Sequence, residues 1–236
     1  MSDPKIIYED GNILVVDKPP GWIVNKADTT KNQPVLQDWL EGFDYPLSKD
    51  HTTRSGIVHR LDKETSGVLI VAKDKESMED LQMQFKKRLV KKTYIALLHG
   101  KMEPNEGSVN VPVGRLPWSR KKFGVIPGGR ESYTEFKVVK YYKKDNDIFT
   151  LCEFYPKTGR THQIRIHSKY LNHSIIADEN YAGRKTAKKD RVWCPRIFLH
   201  AKEIEFSHPV KKNKMKISSK LPSDLNKALS VLEIQA

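Results

Sequence analysis

The chain has 236 residues, a length one hydrophobic core can serve, and it is expected to form a single domain over 1–236. With 38% hydrophobic and 30% charged residues, and only 13 Gly and 13 Pro, it fits neither a disordered nor a fibrous class, so a soluble globular protein is expected. Its 42 Lys and Arg against 29 Asp and Glu leave a formal charge of +13, which favours RNA, DNA or an acidic membrane surface as partner.

No run approaches the roughly 20 apolar residues that span a bilayer, and the opening MSDPKIIYED lacks an apolar signal segment. A cytoplasmic protein with no membrane partner is expected. Cys152 and Cys194 stand far apart without a CxxC pair and read as ordinary thiols. The sequon Asn172-His173-Ser174 has no secretory context and reads as a chance match.

In chain order, the apolar run Asn12 to Val16 predicts a buried strand that ends in a tight turn at Lys18-Pro19-Pro20-Gly21. Val35, Leu36, Trp39 and Leu40 have helical spacing, with Gly42 as terminator, and Tyr45 to Gly56 reads as a surface loop. Gly67 to Ala72 predicts a second buried strand. Asp74 then caps a helix carrying Met78, Leu81, Phe85 and Leu89 on one face. Lys92 to Leu98 is β-rich, and Val109, Val111 and Val113 alternate as a further strand.

Residues 114–130 are basic, hold two aromatics and carry Pro and Gly, which predicts an exposed loop or hairpin. Glu131 to Tyr142 and Ile148 to Tyr155 form a hairpin pattern around Lys143 to Asp147. Thr161 to Leu171 has helical spacing. Strand segments follow at Ile197 to Leu199 and Ile204 to Phe206, and a last helix holds Leu225, Ala228, Leu229 and Leu232. Strands outnumber helices and adjoin by short turns, so the expected class is α+β with a mostly antiparallel sheet.

Two segments are dense in chemistry. His59 to Gly67 sets Asp62 close after Arg60 and just before a buried strand. A nearby cation favours an ionised carboxylate, which serves as nucleophile or general base, although a turn-capping surface Asp fits the same pattern. Thr158 to His167 joins a strand to a helix between Arg160 and Arg165. That arrangement suits phosphate or carboxylate groups, or simply a capped helix start with solvated charges.

The motifs GxxxxGK[ST], GxGxxG and HExxH are absent, so no nucleotide cofactor is expected, and the histidines lack partners at metal-ligand spacing, so no metal is expected. Basic clusters recur at 86–92, 120–122, 184–191 and 211–216. Trp118 and Phe123, interleaved with Arg120, Lys121 and Lys122, can stack on unpaired bases or form a loop tip packed on the protein.

The segment HRLDKETSG at 59–67 resembles the signature of the RluA-like pseudouridine synthases. EDGNILVVDKPPG at 9–21, KKTYIALLHG at 91–100, KTGRTHQIRIH at 157–167 and RIFLHAKEIEFSHPV at 196–210 resemble further family segments in the family's order. The resemblance implies the pseudouridine synthase fold, a mostly antiparallel mixed central sheet flanked by helices and loops, without an S4-type RNA-binding domain. It implies Asp62 as the catalytic aspartate, Tyr94 against the target base, Arg165 paired with the aspartate, and Arg60 entering the RNA stack vacated by the flipped nucleotide. His59, Thr65 and Arg160 are assigned to RNA binding by the same motifs, and Trp118, Arg120, Lys121 and Lys122 fall where the family inserts a loop against RNA.

The implied reaction detaches uracil from C1′ of a uridine, rotates it and reattaches it through C5 with loss of the C5 proton. It consumes no cofactor. Ribosomal or transfer RNA is the expected partner and a monomer the expected state. Asn172-His173-Ser174-Ile175 replaces a GHPI-like turn and Tyr181-Ala182-Gly183 a tighter YG, so the flanking loops are expected to differ from the family's. A noncatalytic RNA-binding protein on the same fold is the alternative. It has no use for a carboxylate facing an anionic ligand. A metal-dependent nuclease would need clustered carboxylates, which the sequence does not offer.

Overall fold

Apolar runs between turn-forming residues dictate the strands, and amphipathic stretches capped by Asp or flanked by Gly the helices. The computed structural model describes residues 2–27, 30–117 and 119–235, the side chains of residues 119–121 excepted. Its first strands and helices are β1 (Lys5–Glu9), β2 (Ile13–Lys18), α1 (Leu36–Leu40), β3 (Ser66–Ala72), α2 (Lys75–Lys86) and β4 (Lys91–His99). Next come β5 (Glu106–Asn110), β6 (Val113–Leu116), β7 (Ser119–Val125), β8 (Tyr133–Lys144) and β9 (Asp147–Pro156). The chain closes with α3 (Gln163–Tyr170), α4 (Arg184–Asp190), β10 (Leu199–Ser207), β11 (Lys214–Ser218), α5 (Ser223–Ser230) and β12 (Glu233–Gln235).

Two compact units form, one from Met1–Lys91 with Ala201–Lys220, the other from Lys92–His200 with Leu221–Ala236. In the first, β1, β2 and β3 run antiparallel, and β2 pairs with β3 from Ile13 opposite Ala72 to Lys18 opposite Gly67. Every residue of β3 is buried, so the run reads as uniformly apolar rather than alternating. Asp74 caps α2 by accepting from the Ser77 amide at 2.8 Å, and Leu81 seats the helix on Ile13, Val15, Val68 and Ile70. Burial of each such side chain contributes about 1.5–3 kcal/mol. The β10–β11 hairpin adds Ile204 and Phe206 to that core.

In the second unit β4, β9 and β8 form an antiparallel ladder, and β5 and β12 pair with opposite ends of β8. Leu97, Leu98, Phe154, Ile176, Phe198 and Leu225 fill its core together with Ile164 of α3. The β6–β7 pair forms a separate two-stranded arm, the hairpin expected within 114–130.

Several expectations need correction. The stretch Tyr45 to Gly56 is not a plain surface loop: Tyr45, Leu47, Ser48, Ser55 and Gly56 are buried, and the Tyr45 hydroxyl donates to Ser55 O at 2.9 Å. The Ser48 hydroxyl likewise donates to Tyr45 O at 2.7 Å, so these polar groups are satisfied inside the segment, while among the described residues Ser55 Oγ finds no partner. Val109 and Val113 lie on different strands, because Pro112 cannot continue a ladder. Leu89 lies beyond the end of α2 and is exposed, and of the segments expected at 197–199 and 204–206 only Leu199 and the second segment are strand, both in the single strand β10. The edge strands β11 and β12 are polar enough to escape the apolar pattern, and β1 offers only the short run Ile6-Ile7-Tyr8.

Candidate active-site elements

In the first unit the Asp62 segment is pinned from four sides. Leu61 and Thr65 are buried, and the Thr65 amide closes a turn onto Asp62 O at 3.1 Å. His59 Nε2 accepts from the Ile70 amide of β3 at 2.9 Å, and its ring lies 4.9 Å from that of Phe85. Lys63 O accepts from the Gly21 amide at 2.8 Å and from Lys18 Nζ at 3.2 Å.

Lys18 is the unforeseen member of this set. Its side chain is 0% exposed, and its ammonium also donates to Pro19 O at 2.9 Å and Trp22 O at 3.0 Å. Three carbonyls match the three donors of a lysine and offset its desolvation. A lysine placed just after the apolar run Ile13 to Val16, at the end of the same strand, was the available signal. Asp62 itself is half-buried and Arg60 exposed, so the loop presents both from a fixed backbone.

Gly67 completes the arrangement at the start of β3. Its φ is +116°, and a Cβ there would lie 2.2 Å from Ala201 O. Gly67→Ala should therefore cost about 3 kcal/mol or more, read as a lower urea midpoint. An unchanged midpoint would refute the close approach.

In the second unit Tyr94 stands on β4 opposite Phe154 of β9 and packs against the core, half-buried. Arg165, on the buried face of α3, forms a two-point ion pair with Asp178: Nε to Oδ2 at 2.7 Å and one terminal nitrogen to Oδ1 at 2.9 Å. Both side chains are buried, and the guanidinium lies 5.0 Å from the centroid of the Tyr181 ring. Asp178 Oδ1 also accepts from the Asn180 and Tyr181 amides.

Tyr181 extends this set toward the β6–β7 arm. Its hydroxyl donates to Phe123 O at 3.3 Å and meets His162 Nδ1 at 2.9 Å. Phe123, half-buried, packs edge-on against the His162 ring with Arg115 over its face, which favours the packed reading of that aromatic. Trp118 lies outside the described residues, as do the Arg120 and Lys121 side chains, while Lys122 is exposed on β7.

Behind Asp178, Ala177 takes a left-handed φ of 61°, and Asp190 of α4 accepts from its amide at 2.8 Å. The same carboxylate oxygen meets His99 Nε2 at 3.0 Å. Asp178, Tyr181, Asp190 and Lys18 were not predicted from sequence.

The strand-to-helix turn before α3 is built around Gln163. Its Oε1 accepts from Thr158 Oγ1 at 2.7 Å and from the Arg160 amide at 3.0 Å, while Nε2 donates to Tyr133 O and Thr134 Oγ1. Arg160 Nε donates to Glu131 O at 3.0 Å. Half-buried Lys92 donates to Thr158 O at 3.2 Å, and burial pulls its amine down to about 8. His162 enters the helix with a left-handed φ of 57° and no side-chain cap bond, so the simple capped start does not form.

His167, buried on the same helix, has both nitrogens engaged. Ser132 Oγ donates to Val111 O at 2.6 Å and therefore accepts from Nε2 at 3.0 Å, while Thr134 Oγ1 meets Nδ1 at 2.9 Å. Burial lowers its pKa from 6.5 to about 4. Between those values the unfolded chain binds a proton that the native chain refuses, so stability falls as pH drops. The loss amounts to about 3 kcal/mol when complete. His167→Gln should remove most of that loss between pH 7 and pH 4.5 in urea titrations, and an unaltered pH dependence would dismiss His167 as its source.

A model of the family described as RNA pseudouridylate synthase matches residues 12–170. The chain belongs to that family. This RNA pseudouridine synthase is 36% identical over 232 residues to ribosomal large subunit pseudouridine synthase D of Buchnera aphidicola, covering 95% of this chain and 72% of the relative. To the protein of the same description from Nitrosomonas europaea it is 34% identical over 232 residues, covering 97% of this chain and 65% of that one. The synthase thus spans about two thirds of the length of these relatives. Its fold matches the structure of human RNA pseudouridylate synthase domain containing 1 with a TM-score of 0.75 at 25% identity, covering 98% of this chain and 89% of the other. The α+β class and the isomerase class agree with the expectation from the motifs.

Proposed function

We propose that the chain isomerises specific uridines of ribosomal RNA, transfer RNA or both to pseudouridine, with residues 1–236 serving as one catalytic domain. The observation that carries this reading is the Asp62 loop: a family-motif carboxylate on a backbone fixed by the burial of Leu61 and Thr65, the hydrogen bond of His59 to β3 and the Lys18 ammonium on Lys63 O. Isomerisation demands a placed carboxylate for breaking the bond between uracil and C1′, with no group or electron entering overall.

Asp62 is assigned to that step, Tyr94 to the target base and its C5 proton, and Arg165 to holding the aspartate ionised. Arg60, exposed beside Asp62, is assigned to the gap a flipped nucleotide leaves, since a planar guanidinium can stack there. Trp118, Arg120, Lys121, Lys122 and Arg160 are assigned to the surrounding RNA. His59 and Thr65 contribute to RNA binding by positioning, because their hydrogen bonds hold the loop to β3 and to its own turn. The large-subunit description of the relatives supports ribosomal RNA as the first substrate to test. A cytoplasmic monomer fits this reading, and among the described residues no helix is long and apolar enough to cross a membrane.

The test is tritium release from RNA labelled with [5-³H]uridine, using large-subunit ribosomal RNA and transfer RNA transcripts in parallel. Release identifies the substrate class, because the C5 hydrogen leaves only when the new bond forms there. Tight RNA retention with no release from either transcript would favour a noncatalytic RNA-binding role.

A further inference from the structure

α4 is the most densely cationic helix in the described chain, and none of the roles above uses it. Arg184, Lys185, Lys188 and Lys189 are all exposed, and Arg191 and Val192 continue the outward face, Val192 at 85% exposure. The opposite face is closed, with Ala187 and Asp190 buried. Arg184 reaches Glu179 at 3.3 Å, while among the described residues no carboxylate pairs with Lys185, Lys188 or Lys189.

The spacing is informative. Arg184 and Lys188, like Lys185 and Lys189, stand four residues apart and therefore about 6 Å apart along one ridge. Like charges at that spacing destabilise an isolated helix, so the arrangement works against the fold unless an anion comes between them. The only carboxylate on α4, Asp190, points inward to His99 and the Ala177 amide and leaves the outer field undiluted.

We propose that the outer face of α4 is a docking surface for the phosphate backbone of the substrate RNA. The inference rests on the reading of the chain as an RNA-modifying enzyme and adds to it a specific grip. RNA is favoured over an acidic protein because three ammonium groups with no carboxylate partner, gathered within about one helical turn, suit closely spaced phosphates, and the chain as a whole carries +13. Asp190 gives the grip a fixed place: it holds the amide of Ala177, the residue before Asp178, which in turn pairs with Arg165. RNA held on α4 is thereby set in register with the Arg165–Asp178 pair.

The test compares the native chain with the triple variant K185Q/K188Q/K189Q and the charge-keeping K185R/K188R/K189R. Two readouts are used on the same large-subunit ribosomal RNA transcript: filter retention across a salt series and steady-state tritium release. The Gln variant should lower the log–log salt slope by about 2 to 3 and raise KM about tenfold at 100 mM salt, with turnover at saturating RNA within twofold. The Arg variant should behave as the native chain.

Unchanged retention and KM in the Gln variant would overturn the inference while leaving the isomerase reading intact. Equal losses in both variants would also overturn it, since charge would then not be the cause. Absence of tritium release from the native chain on this transcript and on transfer RNA alike would remove the isomerase reading, and the retention comparison would still decide whether α4 holds RNA.

Discussion

With [5-³H]uridine-labelled ribosomal RNA, Asp62→Asn is expected to release no tritium above the enzyme-free background, at least about a thousandfold below the native chain. The substitution keeps size and shape, removes the charge and exchanges one acceptor oxygen for a donor NH2. The loop backbone should hold, because the burial of Leu61 and Thr65, the His59 hydrogen bond to β3 and the backbone carbonyl of Lys63 pin it. RNA retention should therefore stay within about tenfold, or 1.4 kcal/mol, of native. The urea midpoint should hold as well. A variant that turns over at the native rate would remove Asp62 from the reaction.

The second large effect concerns Arg165 and Asp178. Asp178→Ala leaves a guanidinium buried without its two-point partner and is expected to cost about 3–5 kcal/mol, read as a depressed urea midpoint. Replacing both partners by apolar residues, as in R165M/D178L, removes the stranded charge along with the pair. Stability should then recover to within about 1–2 kcal/mol of native. Activity should not recover if Arg165 serves the Asp62 carboxylate. Restored stability with tritium release still at background assigns Arg165 to the reaction, whereas restored release would show the pair to be structural only. Arg165→Lys should fare poorly on both readouts, because a single ammonium cannot make the two-point contact.

The strands and helices that were legible in the sequence are those with uninterrupted apolar runs or a clear cap. The fully buried β3, the Asp74-capped α2 and the β8–β9 hairpin are examples. Strand order and edge strands were not legible: β11 is a short segment carrying lysines, and β12 is a three-residue segment with a glutamate whose partner, β8, is distant in sequence. Among the candidate site residues, the motifs named Asp62, Tyr94 and Arg165. They could not name Asp178, because the carboxylate that completes a buried pair is chosen by the fold rather than by local spacing. In the sequence Asp178 is an acid ending the apolar run Ile175-Ile176-Ala177, and its meaning emerges only when α3 brings Arg165 to it. Lys18 escaped for the same reason.

The tie between the Lys18 turn and the Asp62 loop also bears on how damage to this protein would be read in a genetic screen. The Gly21 amide and the Lys18 ammonium both end on Lys63 O, so two segments more than forty residues apart share one point of attachment. In hydrogen exchange the amides of Gly21 and Thr65 should open together rather than one by one. A lesion at Lys18 or in the Pro19-Pro20-Gly21 turn would then slacken the backbone under Asp62 and yield an inactive but folded protein. A screen would score it as a catalytic mutant, although the altered residue never meets the substrate.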